Sequence, residues 1–318
     1  MTDAGPRIVF MGTPEFAVAS LRALAEKGYD IAAVVTVADK PAGRGRKLTF
    51  SPVKDYALKA GLRVLQPEKL RDPSFVRTIR ELKADLFVVV AFRMLPEEVW
   101  SLPALGTFNL HASLLPMYRG AAPINHAVMN GETVTGVTTF LIDREIDTGR
   151  ILLSRMTEIG NEETAGQVHD RLMQMGAALV TETVKGLAEK TLKPVPQIIA
   201  PGTVLKKAPK IFPSDTIIDW KQPALTVHNK IRGLSPQPGA VTTLNARGGT
   251  VKLKLFGSKK REDSNSWSGR ITIMDKKQFI ISCGTGSVEI TELQPEGRKR
   301  MTAADFLRGY DVSDCTVS

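Results

Sequence analysis

The stretch "NLHASLLP", residues 109–116, sets an amide, an imidazole and a hydroxyl within five residues: Asn109, His111 and Ser113. His111 is one of only four histidines in the chain. In an extended segment, residues two apart project to the same side, so Asn109 and His111 share a face. An amide N–H that steadies a developing oxyanion and an imidazole that moves protons are equipment for acyl transfer. Ser113 suits the shaping of the turn that follows. A carboxylate is the missing third group. Asp143 and Asp147 both stand in the glycine-ended loop "DREIDTG". Either acid, brought beside His111, would orient the ring and balance the charge it gains.

These groups act only if a fold holds them together. The first half of the chain alternates strand and helix signals. Strand-like runs cover 7–11, 31–37, 63–66, 85–91 and 106–110. Between them lie helical stretches: one with Thr13 as cap and Pro14 at its first position, one at 51–61 capped by Ser51, one at 73–84, and a short one in "LPEEVWSLP". This is βαβ logic and predicts a mostly parallel sheet covered on both faces. His111 then lies just past the carboxyl end of a parallel strand, where open α/β sheets place their ligands. Strands at 136–143 and 150–159, paired about "REIDTG", would return an acid to the histidine. A long amphipathic helix at 163–190 follows, with Val168, Leu172, Met175, Leu179 and Val180 at helical spacing.

The character of the chain changes after residue 190. Residues 191–213 hold five prolines and four lysines with no helical period, as in an extended connection. Beyond it, short strand signals in 239–256 and 269–297 predict a small β-barrel, closed by a helix at 302–310 with Thr302 as cap. The domains expected are 1–190, a linker at 191–210, and 211–318. Most of the net charge of +10 sits late. Residues 1–200 carry 24 basic against 22 acidic side chains, and residues 201–318 carry 19 against 11. A basic barrel suits a polyanion.

Other classes are set aside by composition. No apolar run approaches the roughly 20 residues of a membrane span. The N-terminus lacks a basic region followed by an apolar stretch, so no secretory signal is expected. Two cysteines, Cys283 and Cys315, make no disulfide framework, and Cys283 reads as a core residue. No metal-ligand cluster is expected, and a cytoplasmic setting fits best. The "GTP" at 12–14 lacks the spacing of a dinucleotide fingerprint.

"NLHASLLPMYRGAAPI" followed by "DTG" resembles the folate-dependent formyltransferases. Those enzymes carry an Asn-x-His, a Ser-Leu-Leu-Pro segment and an Asp 38 residues past the Asn, a spacing that here selects Asp147 over Asp143. "FMGTPEFA" (10–17), "DKPAGRGRKL" (39–48), "SPVK" (51–54), "RGAAPI" (119–124), "EIDTG" (145–149), "APKI" (208–211), "IDW" (218–220) and "LQPEGRKRMTAADFL" near the C-terminus follow in the family's order. The resemblance covers essentially the whole chain. It is greatest to the branch whose acceptor is the methionyl α-amino group on initiator tRNA.

The resemblance implies a Rossmann-like domain joined to an OB-like barrel. Its implied catalytic residues are Asn109, His111 and Asp147, with 10-formyltetrahydrofolate as formyl donor and no metal. It places the folate against Phe92, Arg93, Met94, Leu95, Ser113, Leu114, Leu115, Pro116, Asp143 and Ile146. It assigns RNA contacts to Arg44, Arg46 and Lys47 in the loop "PAGRGRK", and Lys206 and Lys207 in the basic connection are expected to join them. The expected partners are initiator methionyl-tRNA and the folate, with the protein a monomer. The chain departs from the family at "VVAFRMLP", one residue shorter than "VVAYGxILP", with Arg93 near the family's glycine. It also departs at Met117, where a basic residue is common, and at "TII" (216–218). Two other readings share parts of these features. One is a formyltransferase for a small amine, such as phosphoribosylglycinamide or an aminosugar nucleotide. The other is an RNA-binding protein without catalysis.

Overall fold

A computed structural model describes residues 5–42, 47–246, 249–262, 268–275, 277–312 and 315–318. The chain forms two compact units. The first comprises residues 1–120, 136–157 and 169–206, and the second residues 121–135, 158–168 and 207–318.

The first unit is built on seven strands: β1 (Ile8–Gly12), β2 (Ile31–Val35), β3 (Val64–Leu65), β4 (Leu86–Val90), β5 (Thr107–His111), β6 (Val134–Leu141) and β7 (Ile151–Glu158). Their order is β7-β6-β5-β4-β1-β2-β3. The pairs β1·β2, β1·β4, β2·β3 and β4·β5 are parallel, and β5·β6 is antiparallel. The architecture is thus Rossmann-like, as the alternating signals required. β1 and β4 are buried at every position, which explains their unbroken apolar sequences "IVFMG" and "LFVVV". Connections from β1 run to β2 on one side, while β4 lies on the other, so the order of strands reverses there. Ligands of such sheets sit at the carboxyl ends beside that reversal.

The helices of this unit are α1 (Glu15–Glu26), α2 (Pro52–Lys59), α3 (Pro73–Glu81), α4 (Glu97–Trp100) and, from residue 169 on, α6 (Ala165–Ala188); α5 (Pro123–Met129) falls in the second unit. In α2 the Ser51 hydroxyl accepts from the Lys54 amide and Pro52 occupies the first position, as the sequence predicts. α1 departs from expectation. It begins at Glu15 with Pro14 as its cap residue, and no side chain caps it. Thr13 therefore stands one residue too early to reach the first free amides.

The second unit is a curled antiparallel sheet of β8 (Ala240–Ala246), β9 (Gly249–Arg261), β10 (Ile271–Met274), β11 (Gln278–Ser282), β12 (Ser287–Pro295) and β13 (Thr316–Val317). The order is β10-β11-β12-β9-β8-β13. A bridge between Arg270 and Thr316 and a bond from the Val317 amide to the Gly269 carbonyl at 3.0 Å tie the last strand back to the first. This closes the OB-like barrel and leaves few open edges. Its interior holds Leu253, Leu255, Phe279, Ile281, Val288, Leu293 and Phe306. Cys283 is buried there, as expected. α5 belongs to this unit, together with α7 (Ala224–Gly233), which no sequence signal marked, and α8 (Ala303–Gly309), capped by Thr302. Among the described residues, no helix is long and apolar enough to cross a membrane.

Candidate active site

β5 carries Asn109 and His111 to the carboxyl edge of the first sheet. Parallel pairing sets Asn109 beside Val89, and antiparallel pairing sets His111 beside Thr138. His111 is buried, with 6% of its surface exposed, and Asn109 is part-exposed. Among the described residues, the Asn109 carboxamide has no protein partner, so its amide hydrogens remain available to a ligand.

The ring of His111 is held at both ends. Nε2 lies 2.8 Å from the Tyr118 carbonyl oxygen. A carbonyl only accepts, so Nε2 carries the proton and Nδ1 of the neutral ring carries the lone pair. Asp147 Oδ2 stands 3.8 Å from that Nδ1. The same oxygen accepts the Gly120 amide at 2.9 Å. The structure therefore brings Asn109, His111 and Asp147 to one place. Asp143 is occupied elsewhere: its Oδ1 accepts from the Glu145 amide at 3.2 Å and the Thr148 hydroxyl at 2.8 Å, closing the turn. The other three histidines have different partners or surroundings. His126 meets the Pro209 carbonyl, His169 pairs with Asp170, and His228 is buried in the second unit.

Three non-glycine residues with left-handed backbones surround the site: Ala91 (φ 46°), Tyr118 (φ 59°) and Asp147 (φ 56°). Each such residue costs about 1–2 kcal/mol unless its surroundings enforce it. Ala91 directly follows β4, and Tyr118 and Asp147 lie in the loops that follow β5 and β6. Backbone strain of this kind concentrates where geometry matters to function.

The residues expected to hold the folate differ in exposure. Met94 and Ile146 are exposed, at 75% and 63%, while Leu95 is buried. The Arg93 guanidinium donates to the Glu68 carbonyl at 2.8 Å and to the Pro67 carbonyl. Burial holds its pKa below the usual guanidinium value. In the "SLLP" turn, the Ser113 hydroxyl donates to the Met117 carbonyl at 2.6 Å, so it shapes the turn as predicted. Thr138 completes that turn, donating to the Ser113 carbonyl at 2.7 Å and accepting from the Leu115 amide at 3.3 Å. Leu114 and Pro116 are half-buried and Leu115 is buried.

Sequence reasoning missed Tyr118, Gly120 and Thr138. Tyr118 and Gly120 act through backbone atoms, where no local pattern marks them. Thr138 alone left a signal, in the alternation of "GVTTFLID". Arg44 and Arg46 lie outside the described residues, as does the side chain of Lys47, whose backbone opens a short strand at Lys47–Thr49. Lys206 and Lys207 are exposed. In the second unit, a groove of about 660 Å³ is lined by Phe212, Ile217, Lys252 and Lys254 among others. The Lys210 ammonium lies 5.6 Å from the centre of the exposed Phe212 ring.

Comparison with known proteins decides the family. Residues 6–184 match the family model described as formyl transferase, and residues 210–311 match that of the formyl transferase C-terminal domain. The chain belongs to the formyl transferase family. The methionyl-tRNA formyltransferase of Bacteroides thetaiotaomicron is 50% identical over 311 residues, covering 97% of each chain. That of Parabacteroides distasonis is 50% identical over 317 residues, covering 98% of each. Among solved structures, an N-formyltransferase from Helicobacter canadensis in complex with folinic acid and dTDP-3-aminofucose superposes with a TM-score of 0.65 at 20% identity, covering 90% of this chain and 98% of that one. HypX from Aquifex aeolicus in complex with tetrahydrofolic acid gives 0.63 at 21% identity, covering 96% of this chain and 47% of that one. At such identity these two establish the formyl transferase fold alone.

Proposed function

We infer that this formyl transferase moves the formyl group of 10-formyltetrahydrofolate to the α-amino group of methionine on initiator methionyl-tRNA, giving N-formylmethionyl-tRNA for translation initiation. The observation that carries the reading is end-to-end identity of 50% with methionyl-tRNA formyltransferases, across both units. The site geometry agrees with it. The Asn109 carboxamide donates to the formyl oxygen as negative charge gathers there. His111 accepts the proton that the attacking amine loses, through the lone pair on Nδ1. Asp147, 3.8 Å away, balances the imidazolium so formed. Met94 and Ile146 offer apolar surface to the folate ring system, with Phe92, Arg93, Leu95, Asp143 and the 113–116 turn around it.

The acceptor is assigned to RNA by residues outside the triad. Lys206 and Lys207 are exposed, and the groove with Phe212, Lys252 and Lys254 pairs charge with an aromatic face suited to a base. Arg44, Arg46 and Lys47 are assigned the same partner. In this reading residues 1–190 are catalytic, 191–210 connect, and 211–318 bind tRNA. The protein works as a cytoplasmic monomer.

A formylation assay tests the assignment directly. Charged initiator tRNA, phosphoribosylglycinamide and an aminosugar nucleotide are offered as acceptors in parallel. Turnover is expected on the tRNA alone, with tRNA affinity falling steeply as salt rises and folate affinity far less so. Turnover on a small amine and none on tRNA would sink the reading.

A further inference from the structure

The His111–Asp147 pair is braced by residues 195–206, a stretch without regular secondary structure. Val195 and Ile151 exchange both backbone hydrogen bonds, at 2.8 Å each, and fix one end of it. Two residues on, the Gln197 amide sits between three partners. Its Oε1 accepts from Arg119 Nε at 3.2 Å and Nη2 at 2.7 Å. Its Nε2 donates to the Asp147 carbonyl and to the Gly149 carbonyl, at 2.9 Å each. The orientation of this amide is unambiguous, because guanidinium only donates and carbonyls only accept. At the other end, the Lys206 carbonyl accepts the Tyr118 amide at 2.6 Å. Tyr118 is the residue whose own carbonyl receives the His111 ring. One strap thus reaches both members of the pair, each from behind.

The strap meets the active-site loop at its most strained point. Asp147 has a left-handed backbone, and the two carbonyls clamped by Gln197 flank Thr148, the residue that follows it. We propose that Gln197 is a positioning residue for the transfer reaction. Its two amide hydrogens clamp the 147–149 turn, which aims the Asp147 carboxylate at His111 and Gly120. The proposal rests on the reading of His111 and Asp147 as the acid–base pair.

Two substitutions in the full chain separate this role from mere anchoring of the strap. Gln197→Glu keeps an acceptor for Arg119 but has no hydrogens for the two carbonyls. Gln197→Met keeps the length and loses both functions. The clamp predicts that both lower kcat with charged initiator tRNA by about 10-fold or more. KM for the folate and for the tRNA should stay near the parent's, and Gln197→Glu should melt close to it. Parental kcat in Gln197→Glu would overturn the proposal and leave only the Arg119 contact. A raised KM with unchanged kcat would overturn it as well. A second readout needs no turnover: the ring-nitrogen resonances of His111 report its contact with Asp147. They should move in Gln197→Glu, and coincidence with the parent would overturn the clamp. A parent protein that formylates no acceptor would instead count against the functional reading, and the resonances would still judge the clamp.

Discussion

Asn109 and His111 differ in how much of their chemistry the protein has already used. His111 spends one nitrogen on a backbone carbonyl, which fixes the tautomer and leaves the other nitrogen to the reaction. Asn109 spends nothing among the described residues, which is how a donor meant for a substrate should stand. Removing either should therefore injure the rate and spare binding. His111→Ala is expected to lower kcat on the order of 100-fold or more, as for a lost acid–base group. The tRNA dissociation constant, read by filter binding, should hardly change. An unchanged single-turnover rate would refute the role of His111. Of the two loop acids, the residues alone favoured neither. Only the spacing shared with the family chose Asp147, and the geometry explains the choice. Asp143 is consumed by its own turn, as loop aspartates commonly are.

At the scale of elements, the hairpin joining β6 to β7 carries the acid, and its geometry leaves no slack. A Cβ added to Gly149 would lie 1.6 Å from the Leu141 carbonyl oxygen, a backbone atom that no side-chain rotation can move. Gly149→Ala should force the turn open and carry Asp147 away from His111. A loss of about 100-fold in kcat is expected, since misplacement of near 1 Å can cost that much. Parental kinetics in this variant would show that the turn tolerates the shift. The parallel strands, the hairpin and the caps at Ser51 and Thr302 were legible because each follows from local chemistry: apolar runs, turn residues, a hydroxyl before a proline or an apolar stretch. α7 was not legible. Its residues His228, Asn229 and Arg232 are buried alongside Val227 and Ile231, so polar side chains face inward and the apolar period is lost. Gln197 was hidden for another reason. It lies in an aperiodic, proline-rich stretch, and its partners are 48 to 78 residues away in sequence.

In the whole molecule, each unit gathers distant pieces of chain. α5, from the first half of the sequence, belongs with the barrel's unit, where Asn125 donates to the Gly233 carbonyl at 2.8 Å. The segment 158–168 joins that unit too and supplies partners to α7. Arg232 donates to the Glu163 carbonyl at 3.0 Å, and His228 sits between the Ser258 hydroxyl at 3.0 Å and the Asn161 carbonyl at 3.3 Å. His228 thereby ties three separate stretches together as a neutral ring, donating to Asn161 and accepting from Ser258. Burial pushes its pKa below the ordinary 6.5, and Arg232 and Lys260 push the same way against the pull of Glu162 and the Asn161 carbonyl. The sign of the consequence follows from linkage. Above pH 6.5 the ring is neutral in folded and unfolded chains alike, and stability is complete. As pH falls below that value, the unfolded chain binds a proton that the folded unit resists, and stability drains away through the folded-state pKa. Melting temperature should accordingly fall between pH 7 and about 5.5 in the parent. In His228→Gln, whose amide serves both neighbours and does not titrate, the fall should be shallower. Equal slopes in the two proteins would assign the acid sensitivity to other groups.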